Sequence, residues 1–412
     1  MIKLFCFRPQ ILQPLEAGPL APHLASLATV LAQHRYCHET AWNKLRLVAA
    51  LGHWMTLTKL RLKDLNERCA AKFRGWRRRH YVYHSGDKCT LALLLQHLRQ
   101  LDVIPPPAPA PLTPIDMLEQ AYGQYLRQER GFMSGSVGQY LTVARRFLWH
   151  WFRDGKIRLK ELRTQDVSDF VLKDASIRGR RSAQLMTSVL RSFLNYLFQE
   201  GKTGTNLATA IPATAGGRLS ELPRYLEAAE VEKLLRSCDR RQNAGRRDYA
   251  VLVLLARLGL RASEVVNLEL DDIDWVAGEL IVRGKGNRVD RMTLLQEVGE
   301  AVADYLKRGR PRCSTRRVFV HCKAPYVGFS SPPNAVSGIV NRALGRAGLN
   351  PVNRGAHLLR HSLATNLLRN GASLTQIGQV LRHQQTQTTE IYAKVDVKAL
   401  RALAQPWPGG VQ

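Results

Sequence analysis

Apolar side chains recur roughly every three to four positions along most of the chain, the spacing that places them on one face of an α-helix. In residues 113–205 this pattern predicts successive amphipathic helices, the first of which begins at Thr113, a capping hydroxyl, followed by Pro114. Residues 1–104 are also predicted to be mainly helical. Aromatic side chains within these apolar stripes are interpreted as core residues.

One stretch follows the pattern of strands instead. Glu279–Arg283 is predicted to form a strand, Gly284–Asn287 its turn and Arg288–Leu294 the returning strand. Val318–Val320 is predicted as a further strand. The expected fold class is therefore mainly α with a small antiparallel β-sheet.

Segments of unusual composition divide the chain. Residues 105–112 are dominated by proline and alanine, which is typical of a stiff extended spacer, and residues 206–224 are rich in Gly, Thr, Ala and Pro. We therefore predict a helical N-terminal region of uncertain role at 1–104, a first linker at 105–112 and a second helical region at 113–205. A second linker at 206–224, a mixed α/β region at 225–395 and a tail at 396–412 follow.

The chain is strongly basic along its whole length. It carries 61 Lys and Arg against 33 Asp and Glu, a formal net charge of +28. Residues 1–110, 111–225 and 226–412 contribute +10, +7 and +11 of that charge. An excess spread in this way indicates a protein that wraps a long polyanion, for which nucleic acid is the obvious candidate. The alternative is a basic soluble protein that binds no nucleic acid.

Cysteine usage and hydropathy exclude several other classes. The seven cysteines are scattered and contain no C-x-x-C pair, which argues against a disulfide framework and a cysteine-rich zinc site and favours a reducing cytoplasm. No apolar run approaches the roughly 20 residues needed to span a bilayer. We therefore expect no cysteine-rich metal site and no membrane partner.

Two groups of arginines are candidates for DNA contact. Lys72–Tyr81 interleaves basic and aromatic side chains, which can hold phosphates and stack on bases, and its candidate residues are Arg77, Arg78 and Arg79. The alternative is a solvated helix face with Trp76 turned inward, and both interpretations stand. In the second helical region the candidates fall outside the apolar stripes, and they are Arg145, Arg146, Arg180 and Arg181.

Five short segments of the mixed region carry residues suited to phosphoryl chemistry. In chain order they are Leu258–Glu264, Gly284–Gly286, His357–His361, Leu381–His383 and Thr388–Tyr392. Planar, permanently charged arginines can stabilise a phosphorane-like transition state, while histidine and lysine can move the required protons. Each segment alone is a weak indication, because a helical tyrosine is far more often core than nucleophile. His357 and His361 are spaced like zinc ligands, but Leu358 replaces the glutamate that such a zinc helix needs.

In their order and spacing the five segments resemble the tyrosine recombinase (phage integrase) family. The match covers residues 225–395 well, and Leu222–Leu226 followed by Glu230 looks like the family's usual entry into its catalytic domain. Residues 113–205 resemble its core-binding domain, although a helical pattern is much less specific. The resemblance implies a multidomain DNA-wrapping clamp that acts on double-stranded DNA as a homo-tetramer across two recombination sites, without cofactor.

The resemblance also implies a role for each site residue. Arg261 and Arg360 would clamp the scissile phosphate, Lys285 would protonate the leaving 5′ oxygen, and His357 would be the acid–base partner of the tyrosine. His383 would bond the phosphate, Glu264 would orient Arg261, and Tyr392 would form a 3′-phosphotyrosyl link. Because that link conserves bond energy, rejoining needs neither ATP nor metal.

Several points stay open at this level. Arg382 stands where the family usually has glycine, so it adds bulk and charge beside the pocket. The tail, with Val397, Leu400 and Leu403 on one face, is interpreted either as a helix that docks on a neighbouring protomer or as a cap on its own domain. The expected function is a site-specific recombinase, an integrase or mobile-element recombinase of the prokaryotic nucleoid, with accessory or sister recombinases as candidate partners. The alternatives are a type IB topoisomerase-like strand-relaxing enzyme and a catalytically silent DNA-binding accessory protein.

Overall fold

The computed structural model describes residues 18–81, 86–107, 112–153, 156–212, 224–284, 288–330 and 333–395, without the side chains at positions 180, 181, 386, 394 and 395. The chain divides into two compact units. The first comprises Met1–Ala110, Gln242–Arg247 and Asp304–Phe329, and the second comprises Pro111–Arg241, Asp248–Ala303 and Ser330–Gln412. No helix within the described ranges is long and apolar enough to cross a membrane.

The N-terminal part of the first unit is helical, as predicted, and consists of α1 (Ala21–Gln33), α2 (His38–Leu57), α3 (Glu67–His80) and α4 (Asp87–Gln100). Their apolar stripes meet in one core. α3 begins at Asn66, whose side chain accepts a hydrogen bond from the backbone N–H of Cys69 at 3.1 Å. Phe73 on α3 is fully buried beside Trp54, with ring centroids 5.8 Å apart. The core therefore fixes which face of α3 is left for solvent.

In the second unit the first helices are α5 (Pro114–Gln128), α6 (Ser134–Trp151), α7 (Thr164–Ile177) and α8 (Arg180–Gln199). The predicted start of α5 is confirmed, because Thr113 and Asp116 form a reciprocal capping box. Tyr122 is fully buried, and its hydroxyl donates to Ser192 Oγ at 3.1 Å. The aromatic stripes thus form core, as predicted.

The remaining helices in chain order are α9 (Ala228–Arg236), α10 (Asn243–Arg257), α11 (Ala262–Asn267), α12 (Gln296–Asp304), α13 (Asn334–Arg346), α14 (Ala356–Arg369) and α15 (Leu374–Val380). The strands β1 (Ile273–Asp274), β2 (Glu279–Arg283) and β3 (Val289–Thr293) form an antiparallel sheet in the order β1-β2-β3. Glu279 pairs with Thr293 and Arg283 with Val289, so the predicted pairing of the two strands is confirmed, while residues 285–287 of the predicted turn lie outside the described residues. The fold class, mainly α with a small antiparallel sheet, is confirmed as well.

The predicted strand at Val318–Val320 is wrong. All three residues are buried, but the segment makes only a single antiparallel bridge, between Val320 and Gly328. The guanidinium of Arg310 donates to the carbonyls of Thr315, Arg317 and Val318, at 2.7, 2.8 and 3.1 Å. The Phe319 carbonyl accepts from the Phe329 backbone N–H at 3.1 Å, whereas the Val318 carbonyl is satisfied by the Arg310 side chain, so the run pairs with the backbone at residues 328–329 too briefly to form a strand.

Candidate active site

Arg261 lies at the start of α11 and is held by a carboxylate one turn further on. The Glu264 side chain accepts from the Arg261 backbone N–H at 2.8 Å, and its other oxygen accepts from Arg261 Nη1, also at 2.8 Å. The side chain of Glu264 is only 2% exposed, whereas that of Arg261 is 33% exposed. A buried anion therefore orients a guanidinium that still reaches solvent.

Gly259, just before this box, brings two segments together. Its φ is +59°, and a Cβ at this position would lie 2.8 Å from Leu381 Cδ2 and 3.0 Å from Leu363 Cδ2. The left-handed backbone disfavours a side chain here, and the close approach excludes one. The segment carrying Arg261 is consequently packed directly against the one that ends in His383.

Arg360 is the most buried of the site arginines. It lies inside α14, is 3% exposed, and donates from its guanidinium to the carbonyls of Gly259 and Leu381. Burial, and next the positive charge of Arg261, lower the pKa of Arg360 to about 10. The group stays cationic near neutral pH, so a buried positive charge ties three segments of the site together.

Tyr392 is packed in the protein interior. It is 1% exposed, belongs to a 3₁₀ turn spanning Glu390–Val395, and lies in an apolar cluster with Ala364, Ile377 and Leu381. Its hydroxyl is 2.8 Å from His361 Nδ1. Burial raises the pKa of Tyr392 to about 12, although the charge of Arg360 acts in the opposite direction. The phenol is therefore protonated at neutral pH.

The three histidines have different surroundings. His357 is exposed on the first turn of α14, and its ring centroid is 6.3 Å from that of His361. His383 Nδ1 is 2.7 Å from Thr389 Oγ1. Burial, followed by the charges of Arg360 and Arg261, lowers the pKa of His383 to about 4, so its ring is neutral near pH 7.

His361 was not among the predicted site residues, because its sequence position suggested only a zinc-like pair with His357. The two histidines are four positions apart on α14 and therefore share a face. That spacing was the available signal, but the contact with a tyrosine 31 positions away depends on the tertiary fold.

Arg382 turns inward toward the site. Its Nη2 donates to Glu264 Oε2 at 2.6 Å, its Nη1 contacts Met292 Sδ, and its side chain is 9% exposed. Its φ of +54° is one that glycine adopts far more readily than other residues, which matches the glycine expected at this position.

Lys285 lies outside the described residues. At the base of its hairpin, the Gly284 backbone N–H donates to the Arg288 carbonyl at 2.8 Å. A Cβ on Gly284 would lie 3.9 Å from Glu264 Oε1. The hairpin that carries Lys285 therefore begins beside the Arg261–Glu264 box.

Several of the arginines predicted to contact DNA have acidic partners. Arg77 Nε is 3.1 Å from Asp87 Oδ2, Arg145 Nη2 is 2.5 Å from Glu119 Oε2, and Arg146 Nη1 is 3.4 Å from Asp174 Oδ1. Arg78 and Arg79 are exposed at the end of α3. Arg180 and Arg181 begin α8, and their side chains lie outside the described part of the chain.

Four of the predicted catalytic residues lie together in the structure. Arg261, Arg360, His383 and Tyr392 come from four segments and act on each other electrostatically, with Glu264 beneath Arg261. No cluster of three or more acidic, cysteine or histidine side chains suited to a metal ion occurs among the residues described. The arrangement offers two guanidiniums for an anion, with a phenol and the neutral ring of His383 beside them.

Two family profiles match this chain. The profile described as the phage integrase family matches residues 224–399, and that of the phage integrase N-terminal SAM-like domain matches residues 120–201. The chain is 43% identical over 397 residues to a Sinorhizobium fredii protein named as an integrase/recombinase, y4rA, with 96% of each chain covered. It is 31% identical over 309 residues to the tyrosine recombinase XerD of Mycobacterium tuberculosis, covering 70% of this chain and 96% of that protein.

Solved structures share the fold. The XerH site-specific recombinase, in a post-cleavage complex with its difH substrate, gives a TM-score of 0.54 at 18% identity, covering 72% of this chain and 98% of that one. A lambda integrase dimer bound to a core site gives a TM-score of 0.51 at 18% identity, with coverages of 72% and 98%.

Proposed function

The chain belongs to the phage integrase family of tyrosine recombinases and is a DNA strand-transferring enzyme, and on that premise we propose that Tyr392 is its nucleophile. The observation that carries this proposal is the buried Tyr392 hydroxyl, bonded to His361 and under the electrostatic influence of Arg360. The phenolic oxygen attacks the scissile phosphorus, the bond to the 5′ oxygen breaks, and a 3′-phosphotyrosyl link forms. Attack by a 5′ hydroxyl reverses the step and rejoins the strand.

Arg261 and Arg360 hold the phosphate in this proposal. Negative charge gathers on the non-bridging oxygens as the tyrosine attacks, and preorganised guanidiniums stabilise it without reorganising. Arg360 is immobilised by two backbone carbonyls, and Arg261 is immobilised by Glu264. Because both cations are fixed before DNA arrives, their stabilisation is available from the start of the reaction.

Two proton transfers accompany the bond changes. With a pKa near 12, Tyr392 must give up its proton during attack, and we assign that proton to a histidine of α14. His361 holds the hydroxyl in the described state, while His357, one turn earlier and exposed, is the acid–base partner that the family resemblance implies. Lys285 supplies the proton to the leaving 5′ oxygen, and His383 bonds the phosphate as a neutral ring.

At the level of the substrate, we propose that the chain recombines two double-stranded DNA sites as a homo-tetramer. Residues 113–205 serve as the core-binding domain and residues 225–395 as the catalytic domain. The XerH and lambda integrase structures are DNA complexes, and a Tn1549 transposon integrase with a similar fold is bound to circular intermediate DNA. These complexes, together with the integrase-like relative, support a mobile-element recombinase acting on bacterial DNA.

A nicked suicide substrate tests the proposal. Duplexes tiled across the DNA beside the gene are incubated with the protein, and covalent protein–DNA complexes are separated by denaturing electrophoresis. The wild type is expected to be trapped on at least one duplex, whereas Tyr392→Phe should bind that duplex without trapping. Tyr122→Phe is the matched control, because Tyr122 is an equally buried tyrosine in a separate apolar core.

Two outcomes would favour the alternative functions. Binding without trapping on every duplex would indicate a silent DNA-binding protein, and relaxation of supercoiled plasmid without two-site exchange would indicate the strand-relaxing alternative.

The trapping assay also tests the roles of Arg261 and Arg360, with a different substitution for each. Arg261→Ala is expected to leave DNA binding largely intact and to lower the trapping rate by roughly 100-fold or more, because alanine cannot stabilise the charge of the transition state. Arg360→Lys is preferable to alanine, since alanine would leave two buried carbonyls unpaired and create a cavity. Loss of binding as severe as the loss of trapping would contradict a catalytic role for either residue.

A further inference from the structure

We propose that Arg382 is a positioning residue for strand cleavage, which shares the Glu264 carboxylate with Arg261 and so leaves the Arg261 charge available to the phosphate. The inference deepens the proposed function and rests on it. Glu264 Oε2 accepts from Arg382 Nη2 at 2.6 Å and from the Arg261 backbone N–H at 2.8 Å, while Oε1 accepts from Arg261 Nη1 at 2.8 Å. One buried carboxylate is thus divided between two guanidiniums.

The backbone conformation and the burial of Arg382 both argue that its side chain has a specific role. Its φ of +54° is unfavourable for a residue with a Cβ, and glycine would adopt it without that cost. The side chain is nevertheless 9% exposed, and burial lowers the pKa of its guanidinium. A strained backbone and a buried cation are both unfavourable, and the ion pair with Glu264, 2% exposed, offsets them.

The remaining contacts of Arg382 lead to the hairpin that carries Lys285. Its Nη1 contacts Met292 Sδ, and its Nε is 3.7 Å from Asp290 Oδ2. Both partners belong to β3, the strand that follows Lys285 in the chain. Arg382 therefore connects the Arg261–Glu264 box to β3, and it directly precedes His383.

Charge balance gives the expected consequence of removing this side chain. With Arg382 present, Glu264 divides its charge between two cations. Without it, the same carboxylate would face Arg261 alone, hold it more tightly and cancel more of its charge at the phosphate. Removing the negative charge of Glu264 as well should release Arg261 again.

Single-turnover trapping on a nicked duplex tests this chain of effects with Arg382→Gly, Glu264→Gln and the double variant. We expect Arg382→Gly to fold, to bind DNA with unchanged affinity, and to be trapped about tenfold or more slowly. The double variant should be faster than Arg382→Gly alone, whereas a purely structural role predicts two independent losses. Arg382→Lys, which keeps a charge beside Glu264, should recover part of the rate.

Arg35→Gly is the matched control, because Arg35 is also an arginine with left-handed backbone, with φ of +56°, but it is exposed in the N-terminal part. Its trapping rate should equal that of the wild type. Equal rates for Arg382→Gly and wild type, or additive losses in the double variant, would overturn the positioning role while leaving the proposed function intact. If instead the wild type itself is never trapped, or Tyr392→Phe is still trapped, the proposed function fails. Failure of the positioning role can therefore be told apart from failure of the proposed function.

Discussion

At the scale of single residues, the site combines ionisable groups whose charge states are set by burial. Arg360, with a pKa of about 10, remains a cation at neutral pH, while His383, at about 4, and Tyr392, at about 12, are both neutral. At neutral pH the site therefore contains fixed positive charge but no phenolate. In the proposed reaction, proton removal from Tyr392 therefore has to accompany its attack, and a histidine of α14 is the proposed acceptor of that proton.

His383 leads to a prediction about stability and pH. Its pKa in the folded chain, about 4, is below the value of about 6.5 for an unperturbed histidine, so the unfolded state binds a proton first as pH falls. The stabilising contribution of the neutral ring is complete above about pH 6.5 and is lost progressively as pH falls toward 4. Thermal melting at pH 7.5 and pH 5 should therefore show a smaller loss for His383→Gln than for the wild type.

The comparison between variant and wild type is needed because other histidines also titrate. Burial lowers the pKa of His97, His150 and His321, and these three contribute equally to both proteins. Identical pH dependence of melting in the two proteins would mean that His383 does not carry the perturbed pKa.

At the scale of elements, α3 has two distinct faces. Phe73 and Ala70 are buried in the core of the first unit, whereas Arg68, Lys72 and Arg79 are exposed at spacings that place them along one side of the helix. Trp76 packs against Phe73 and His80, with ring centroids 6.0 and 4.8 Å away, instead of standing clear for base stacking. We therefore interpret α3 as a candidate phosphate-binding face, with its aromatics serving the fold.

Neutralising this face should weaken DNA binding in a salt-dependent manner. Lys72→Gln with Arg79→Gln is expected to reduce the slope of log affinity against log salt by roughly two, about one for each DNA phosphate that the variant no longer neutralises. The measurement is fluorescence anisotropy of a labelled duplex over a salt series. Arg77→Gln is the control, because Arg77 pairs with the 8% exposed Asp87 and its loss should lower stability without that change in slope. An unaltered slope in the double variant would remove α3 from the DNA interface.

At the scale of the whole molecule, the positive charge suits DNA binding, whereas the proposed tetramer also needs contacts between protomers. The net charge of +28 is spread along the sequence, which suits repeated contact with a long duplex. Strand exchange between two sites nevertheless requires protomers to bind one another, and attraction to DNA alone does not provide this. Residues 396–412, which lie outside the described part, are our proposed docking segment.

Truncation after Val395 tests that assignment. The shortened chain should bind a single site with the affinity of the wild type but should no longer form complexes of four protomers on two sites, as counted by mass photometry. The physical reason is that the apolar face predicted for the tail would no longer be there to pack on a neighbouring protomer. If single-site binding and thermal stability fall together, the tail is a cap on its own domain instead.

Local patterns were enough to predict much of this protein. The start of α5 at Thr113 and the pairing of Glu279–Arg283 with Val289–Thr293 depend on residues close in the chain, so their physics is present in the sequence. Val318–Val320 was misassigned because its apolar run resembles a strand, and only the fold brings Arg310 to the Val318 carbonyl and limits the backbone pairing to one bridge. The ion pairs of Arg145 and Arg146, formed with residues on other helices, were likewise hidden from the helical pattern.

The sequence by itself determined the mainly helical fold and the small antiparallel sheet, because these depend on short periods, and its five motifs were enough to predict a set of site residues. Only the tertiary structure decided which groups contact one another. The hydrogen bond between Tyr392 and His361 joins positions 31 apart, and that from Arg382 to Glu264 joins positions 118 apart. Burial also set the pKa values of the site, because the desolvation of each group is a property of the packed fold and not of its neighbours in the chain.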